Sequence, residues 1–170
     1  MGIMQPPLIV PLSSSDISRI LAQRADAGDA LVMSGLIEDE LEKLLLTAGR
    51  PLSNRTAKII FESMGPLSSF SAKIEIAFMF ELIDETVRDD LRIIKGVRNA
   101  FAHTARPVHF NSPLIAKQCW KLSNWKENSE NRDCFLERAR ECVNVMKTKQ
   151  SSILWIRTLE GQPAADQKTP

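Results

Sequence analysis

Apolar side chains recur at every third or fourth position along most of this chain, which is the period of an amphipathic helix. Ser14 or Ser15, in a serine run, offers an N-cap for the first helix. From there the apolar pattern continues to Leu45 with a short break near Gly28, so it predicts either one long helix or two helices in line. Gly49 and Pro51 then end the helical signal.

The next block predicts two helices joined by a turn. Positions 56–63 have the pattern of a short helix, and the Gly-Pro pair at 65–66 indicates a turn. A serine at 68–69 can cap a helix that extends to about Ile83. Because this helix is apolar nearly all round, it belongs in the middle of a bundle or in a dimer interface.

Asp84 is a good N-cap for the following helix, whose apolar face recurs at intervals of three and four: Val87, Leu91, Ile94, Val97 and Phe101. Pro107 disfavours helical geometry at the residue before it, so the helix must end near Thr104. Ser112 can cap a short helix to about Leu122, and a last helix follows a polar stretch.

Together these patterns predict an all-α, single-domain helical bundle of about six or seven helices. The bundle covers residues 15–158, with a flexible N-terminal arm at 1–14 and a disordered tail at 159–170. The composition agrees with one globular domain, since 44% of the 170 residues are hydrophobic and 25% are charged.

Charge and cysteine content narrow the classes of function. A formal net charge of +1 gives the whole molecule no strong field toward DNA or an anionic membrane, so a nucleic-acid role needs a local basic patch. The sequence has no apolar run of about 18 residues that would span a membrane. Three cysteines without metal-ligand spacing indicate reduced thiols in a cytoplasmic protein, and no metal or cofactor is expected.

An acidic group on the first helix has two interpretations. Four carboxylates lie close together there, at Glu38, Asp39, Glu40 and Glu42. They could form a metal cluster, but a solvated helix face is the commoner arrangement and is the one favoured here.

The helix after Asp84 carries the candidate chemistry. At about 100° per residue, five of its positions fall within roughly 80° of one another: Arg88, Arg92, Lys95, Asn99 and His103. Like charges at this spacing repel, so we expect Arg88, Arg92 and Lys95 to be neutralised. The candidates are acids of neighbouring helices, a partner protein or the phosphates of RNA.

Arg98 lies about 140° away from His103 on an ideal helix. The two residues can therefore meet around one substrate only if the helix unwinds near His103 or if two copies face each other. A neutral histidine could then deprotonate a 2′-hydroxyl while the arginine holds the scissile phosphate, with Asn99 orienting either group. Alternatively, all three residues simply secure the helix end, which spacing alone favours.

The arrangement of Arg98, Asn99 and His103 near a helix end resembles the signature of the HEPN superfamily. Four longer blocks, in order, resemble the mannitol operon repressor (MltR) family: GDALVMSGLIEDELEKLL, GPLSSFSAKIEIAFMFELI, DLRIIKGVRNAFAH and HFNSPLIAKQC. The resemblance covers residues 15–122.

The MltR resemblance implies an all-helical, cytoplasmic, dimeric protein of transcription regulation. The sequence lacks a helix-turn-helix pattern, zinc-finger spacing and a basic tail, so repression through a protein partner is the expected route. This non-catalytic regulator hypothesis predicts that Arg98 is buried against an acid and that His103 bonds to backbone carbonyls.

The wider HEPN group implies the alternative, a metal-independent ribonuclease that acts as a toxin or defence effector. Its active cleft forms between two subunits, with catalytic residues at the positions of Arg98, Asn99 and His103. Arg92 and Lys95 would extend that positively charged groove. A small-molecule sensor is a third hypothesis, which rests on the methionine and aromatic side chains at 78–80.

Overall fold

Six helices, and no strand, make up the part of the chain that the computed structural model describes, residues 13–104 and 108–160. The all-α prediction is confirmed for these ranges. The helices are α1 (Ser14–Ala48), α2 (Asn54–Phe61), α3 (Phe70–Met79), α4 (Glu85–His103), α5 (Pro113–Cys119) and α6 (Asn131–Glu160). The predicted arm at 1–14 and tail at 159–170 lie mostly outside the described residues, although α6 includes positions 159 and 160.

α1 is one uninterrupted helix of 35 residues, so the first of the two predicted alternatives is confirmed. Gly28 does not break it. A Cβ at Gly28 would meet nothing within 4 Å, which means that this glycine faces open space on the helix surface. Buried leucines on the other side of α1, such as Leu41 and Leu44, hold the helix against the core instead.

Side-chain caps begin three of the helices, and those of α3 and α4 are the ones that the sequence predicts. Ser69 Oγ accepts a hydrogen bond from the Ala72 amide at 3.1 Å, and Asp84 Oδ1 accepts one from Val87 at 2.8 Å. Ser53 caps α2 in the same way. α4 ends at His103 with Thr104 as its C-cap, close to the predicted end.

The predicted end of α3 at Ile83 is wrong, because the helix stops at Met79. Glu81 takes a left-handed conformation (φ 55°), its amide donates to Phe78 O, and the Leu82 amide donates to Ala77 O. This pair of bonds is the Schellman arrangement that closes a helix C-terminus. Glutamate in the place that glycine usually occupies gave no sequence signal for the stop.

The two longest helices, α1 and α6, pack against each other and run parallel. Three contacts in register define this direction. Arg132 bonds to Asp29, Gln150 Nε2 donates to Glu40 Oε1 at 2.7 Å, and Arg157 Nη2 donates to Ala48 O at 3.0 Å. The last contact also satisfies a carbonyl that the end of α1 leaves without a helical partner.

α4 lies in the middle of the bundle and contacts α1, α3, α5 and α6. Its predicted apolar face is confirmed, since Leu91, Ile94 and Val97 are fully buried. Beyond its end, the ring of Phe110 lies 5.1 Å from that of Phe101 and 5.2 Å from that of Phe135. No helix within the described ranges has the length and apolar character needed to span a membrane.

Candidate functional site

The basic row on α4 faces acidic and hydroxyl groups of its own chain. Arg92 forms two hydrogen bonds to the Glu75 carboxylate of α3, Nε to Oε1 at 2.8 Å and Nη2 to Oε2 at 2.7 Å. This paired geometry is the strongest that arginine makes with a carboxylate. The Arg92 hydrogen bond holds the pKa of Glu75 below its ordinary value, which keeps the pair ionised.

Arg88 and Lys95 are also occupied. The Arg88 guanidinium donates to Asp89 and Glu85, each at 2.9 Å, and lies 4.1 Å from the centre of the Phe78 ring. Lys95 Nζ donates to Ser71 Oγ at 2.6 Å. An acid of a neighbouring helix therefore meets Arg92, as the sequence allowed, whereas Arg88 is neutralised by acids of α4 itself, which the sequence analysis did not consider.

Arg98 and His103 have different surroundings from the rest of the helix. Arg98 is half-buried, and its Nη1 donates to Asn99 Oδ1 at 3.1 Å. No described carboxylate lies within 4.0 Å of the Arg98 guanidinium, and His103 is exposed without a hydrogen bond to any described residue. Thr104, rather than His103, bonds back to the Ala100 carbonyl.

The end of α4 therefore differs from the two contacts that the regulator hypothesis predicts for Arg98 and His103. Arg98 is not buried against an acid within the described ranges, and His103 does not bond backbone carbonyls there. α4 stays helical through His103, so the angular separation of about 140° between Arg98 and His103 is kept. Within one chain, Arg98 reaches Asn99 through its hydrogen bond, and Asn99 shares a helix face with His103, but Arg98 itself points away from His103. Positions 105–107, which include Pro107, lie outside the described residues.

The acidic group on α1 is only in part the solvated face that was predicted, because Asp39 is exposed but the other three carboxylates have partners in the chain. Lys73 of α3 is buried, and its Nζ lies 2.8 Å from Glu42 and 3.3 Å from Glu38. Glu40 is itself buried and accepts the bond from Gln150. α3 and α6 both pack against α1, and they bring these partners to Glu38, Glu42 and Glu40 while Glu38 and Glu42 stay partly exposed.

A metal cluster is not formed there either. Lys73 supplies the positive charge beside Glu38 and Glu42, which leaves no need for a cation. In the part of the chain that the structure describes, no group of three or more His, Cys, Asp or Glu side chains is arranged to hold a metal ion.

The sequence interpretation missed a buried ionic cluster between α4, the loop after α5, and α6. Asp90, only 2% exposed, accepts hydrogen bonds from the Ser123 amide at 2.9 Å, the Ser123 hydroxyl at 2.6 Å and Arg138 Nε at 2.7 Å. Its one sequence signal is position, since Asp90 lies four residues before Ile94 on the apolar side of α4. Asp90 itself is remote from solvent, although Ser123 is exposed, and its bonds join three elements, which marks the cluster as structural.

All three cysteines are free and buried in the core. Burial raises the pKa of Cys119 to about 12 and that of Cys142 to about 12. Burial also raises the pKa of Cys134, to about 11. A thiol with a raised pKa carries almost no thiolate near neutral pH, so none of the three is an activated nucleophile.

The end of α6 exposes a group of large apolar side chains. Four large side chains at the end of α6 are each more than half exposed, and we call them the C-terminal apolar surface: Leu154, Trp155, Ile156 and Leu159. Trp155 is 65% exposed. Exposed aromatic and aliphatic side chains grouped in this way are typical of protein contact sites.

The geometry thus separates two candidate sites, the end of α4 and the C-terminal apolar surface. The chain matches no protein-family model, no curated protein and no solved structure. The basic row is not a third candidate site. Its three cations, Arg88, Arg92 and Lys95, already form hydrogen bonds with groups of the same chain.

Proposed function

We propose that this chain is an MltR-like dimeric regulatory protein that acts in transcriptional repression through protein contacts rather than by reading DNA directly. The observation that carries the proposal is the C-terminal apolar surface, in which Trp155 leaves 65% of its side chain open. Tryptophan residues anchor protein interfaces because they bury a large area at low cost in conformational entropy. The MltR-like blocks of the sequence support the regulatory role.

Charge pairing supports a protein partner over nucleic acid. A phosphate that approached Arg92 would have to displace Glu75, whose two oxygens already occupy the guanidinium. The formal net charge of +1 adds no attraction at longer range. In addition, α2 and α3 are separated by positions 62–69, a longer connection than the three or four residues of a helix-turn-helix.

The dimer is tested by sedimentation equilibrium on wild type and on Trp155→Glu. We expect wild type to have twice the mass of one chain, and the variant to shift toward the monomer because a buried, unpaired carboxylate is costly. Asn144→Asp is the matched control, since it adds one negative charge at another exposed position of α6. A monomeric wild type would overturn the dimer, and a dimer that Trp155→Glu leaves intact would overturn this surface as its interface.

A metal-independent HEPN-type ribonuclease is the second candidate. The absence of a carboxylate beside Arg98 within the described residues, and the exposure of His103, favour it. A free guanidinium can hold a phosphate, and an exposed imidazole can accept a proton. Because the two groups point to different sides of α4, an active site of this type needs residues from two subunits.

Labelled single-stranded RNA incubated with the purified protein in EDTA tests this alternative. Arg98→Ala and His103→Ala are the variants, and Arg55→Ala, an exposed arginine on α2, is the matched control. Cleavage by wild type and the control but by neither folded variant would establish the nuclease and displace the regulator as the primary function. RNA left intact by wild type would remove the nuclease.

A further inference from the structure

An apolar cavity of ≈ 360 Å³ lies between the end of α1, α2 and α3. Most of its wall is hydrocarbon, including Leu46, Leu52, Ile60, Leu67, Ile76 and Phe80. The cavity is open to solvent on one side, since its lining residues Arg50 and Phe80 are exposed. A volume near 300 Å³ or above is typical of small-molecule sites.

The cavity wall has one charged side chain, that of Arg50. Arg50 is exposed, which puts it at the rim, and no described carboxylate lies within 4.0 Å of its guanidinium. An apolar cavity gains little from water, because water finds no polar partners there, but it binds apolar molecules readily. Wall and rim together fit a molecule with an apolar body and one anionic group.

α2 forms one side of the cavity and is the least anchored of the helices. Phe61 is its single buried residue, and Ile59 on the same helix is 63% exposed. An eight-residue helix is marginal by itself and depends on packing for its stability. Segments with few buried apolar contacts open at low free-energy cost, so α2 offers an entrance to the cavity.

We propose that this cavity binds a small amphipathic carboxylate, with the apolar body beneath α2 and the carboxylate paired with Arg50. At the packing density of proteins, the cavity volume accommodates about ten to fifteen non-hydrogen atoms. No residue of the C-terminal apolar surface lines the cavity, although Arg157 bonds to Ala48 of its wall, and different variants test the two proposals, so either can fail without the other.

The probe is decanoate, titrated into the full chain by calorimetry well below its micelle-forming concentration, beside decanol as an uncharged molecule of equal length. We expect saturable binding of decanoate at one site per chain. Hydrogen exchange of the α2 amides should slow when decanoate is bound, because the ligand supplies the packing that α2 lacks. Absence of saturable decanoate binding would overturn the proposal.

Two kinds of variant locate the site. Ala48→Phe puts a ring into the cavity from α1 and should weaken decanoate binding at least about tenfold. If Ala48→Phe does not fold, Ile76→Phe fills the same space from α3. Arg50→Gln should weaken decanoate binding by about three- to tenfold but leave decanol binding unchanged, whereas Arg55→Gln, an exposed arginine outside the wall, should change neither. Unchanged binding in both filling variants would overturn the site, and equal losses for decanol and decanoate in Arg50→Gln would overturn the carboxylate assignment.

Discussion

Gly65 occupies a place where no side chain fits. The segment after α2 folds back on the helix, and the Leu67 amide donates to Ile60 O at 2.9 Å. A Cβ at Gly65 would lie 2.4 Å from the carbonyl oxygens of both Ile59 and Ile60. These atoms belong to the helix backbone, which cannot move aside without losing α2 itself. The sequence predicted only that this glycine belongs to a turn. Glycine is required there because two backbone segments approach each other closely.

The substitution Gly65→Ala tests this close approach. We expect it to lower the free energy of unfolding by roughly 2 kcal/mol, because an overpacked contact against backbone has no way to relax. Gly28→Ala is the matched control, since nothing lies within 4 Å of its Cβ and it sits inside α1. That change should raise stability by about 0.5–1 kcal/mol through helix propensity. Urea denaturation of both variants decides the matter, and a loss of equal size at the two positions would contradict the packing argument.

Two buried charges show why single residues escape sequence interpretation. Lys73 and Asp90 are both charged residues on helix faces that are otherwise apolar, and both are buried. Their burial depends on partners far along the chain, Glu42 for Lys73 and Arg138 for Asp90. A one-dimensional pattern does not contain such pairings, so it predicts that charged residues stay in water.

At the scale of elements, the Asp90 cluster fastens α4 to α6. Asp90→Asn keeps the size of the side chain but turns one accepting oxygen into an NH2 group that faces the donors of Ser123 and Arg138, and it leaves Arg138 with only the half-exposed Glu141 as its counter-charge. We expect a loss of roughly 3 kcal/mol in the free energy of unfolding. Asp89→Asn, at the neighbouring exposed position, should cost clearly less because its ion pairs are in solvent. Chemical denaturation of the two variants at one pH compares them, and similar losses would refute the special role of the buried site.

The contact between α3 and α4 should depend on pH through Glu75. The pKa of this carboxyl is lowered in the folded protein, so its ionised form stabilises the fold above its ordinary pKa, and that contribution is lost as the pH falls through the lowered value. Glu75→Gln should therefore destabilise the protein near neutral pH, with a difference from wild type that shrinks in acid. Thermal melts across acidic and neutral pH measure the difference, and Glu127→Gln, an exposed loop carboxylate, is the control. A difference that grows in acid would have the wrong sign for this pair.

Local sequence signals predicted where helices begin better than where they end or which residues of other helices they contact. Serine and aspartate caps located the starts of α3 and α4, because capping is a local interaction over three residues. The end of α3 depended on Glu81 adopting a left-handed conformation, which residue type does not predict. The row of Arg88, Arg92 and Lys95 was predictable from helical geometry, and its partner on α3 was not, since Glu75 had first to be placed beside α4.

Across the whole molecule, stability should be distributed unevenly. The amides of α4 and of the facing parts of α1 and α6 belong to the buried centre, whereas α2 has a single buried residue. Native-state hydrogen exchange without ligand should therefore show the slowest exchange in α4 and the fastest helical exchange in α2. Peptide-resolved mass spectrometry gives this order directly. Protection in α2 equal to that in α4 would contradict the assignment of α2 as a loosely held cover.

The all-α class and the approximate positions of the helices were predictable because the periodic pattern of apolar residues in a helix is local in the sequence. The arrangement of α1 and α6 was not, because a parallel pair is set by contacts more than a hundred residues apart, such as Asp29 with Arg132. The candidate chemistry at Arg98 and His103 remains a prediction for the same reason. Whether the two residues share a substrate depends on how two chains would associate, and the sequence of one chain does not give that arrangement.

The parallel packing of α1 and α6 has a mechanical consequence. The bundle's first residue and its last lie at opposite ends, so a force that pulls on both chain ends draws α1 and α6 past each other lengthwise. The Asp29, Glu40 and Ala48 contacts with α6 are then loaded together, in shear, rather than broken one after another. A domain held in this way resists extension far better than one whose terminal helices run antiparallel and peel apart from one end.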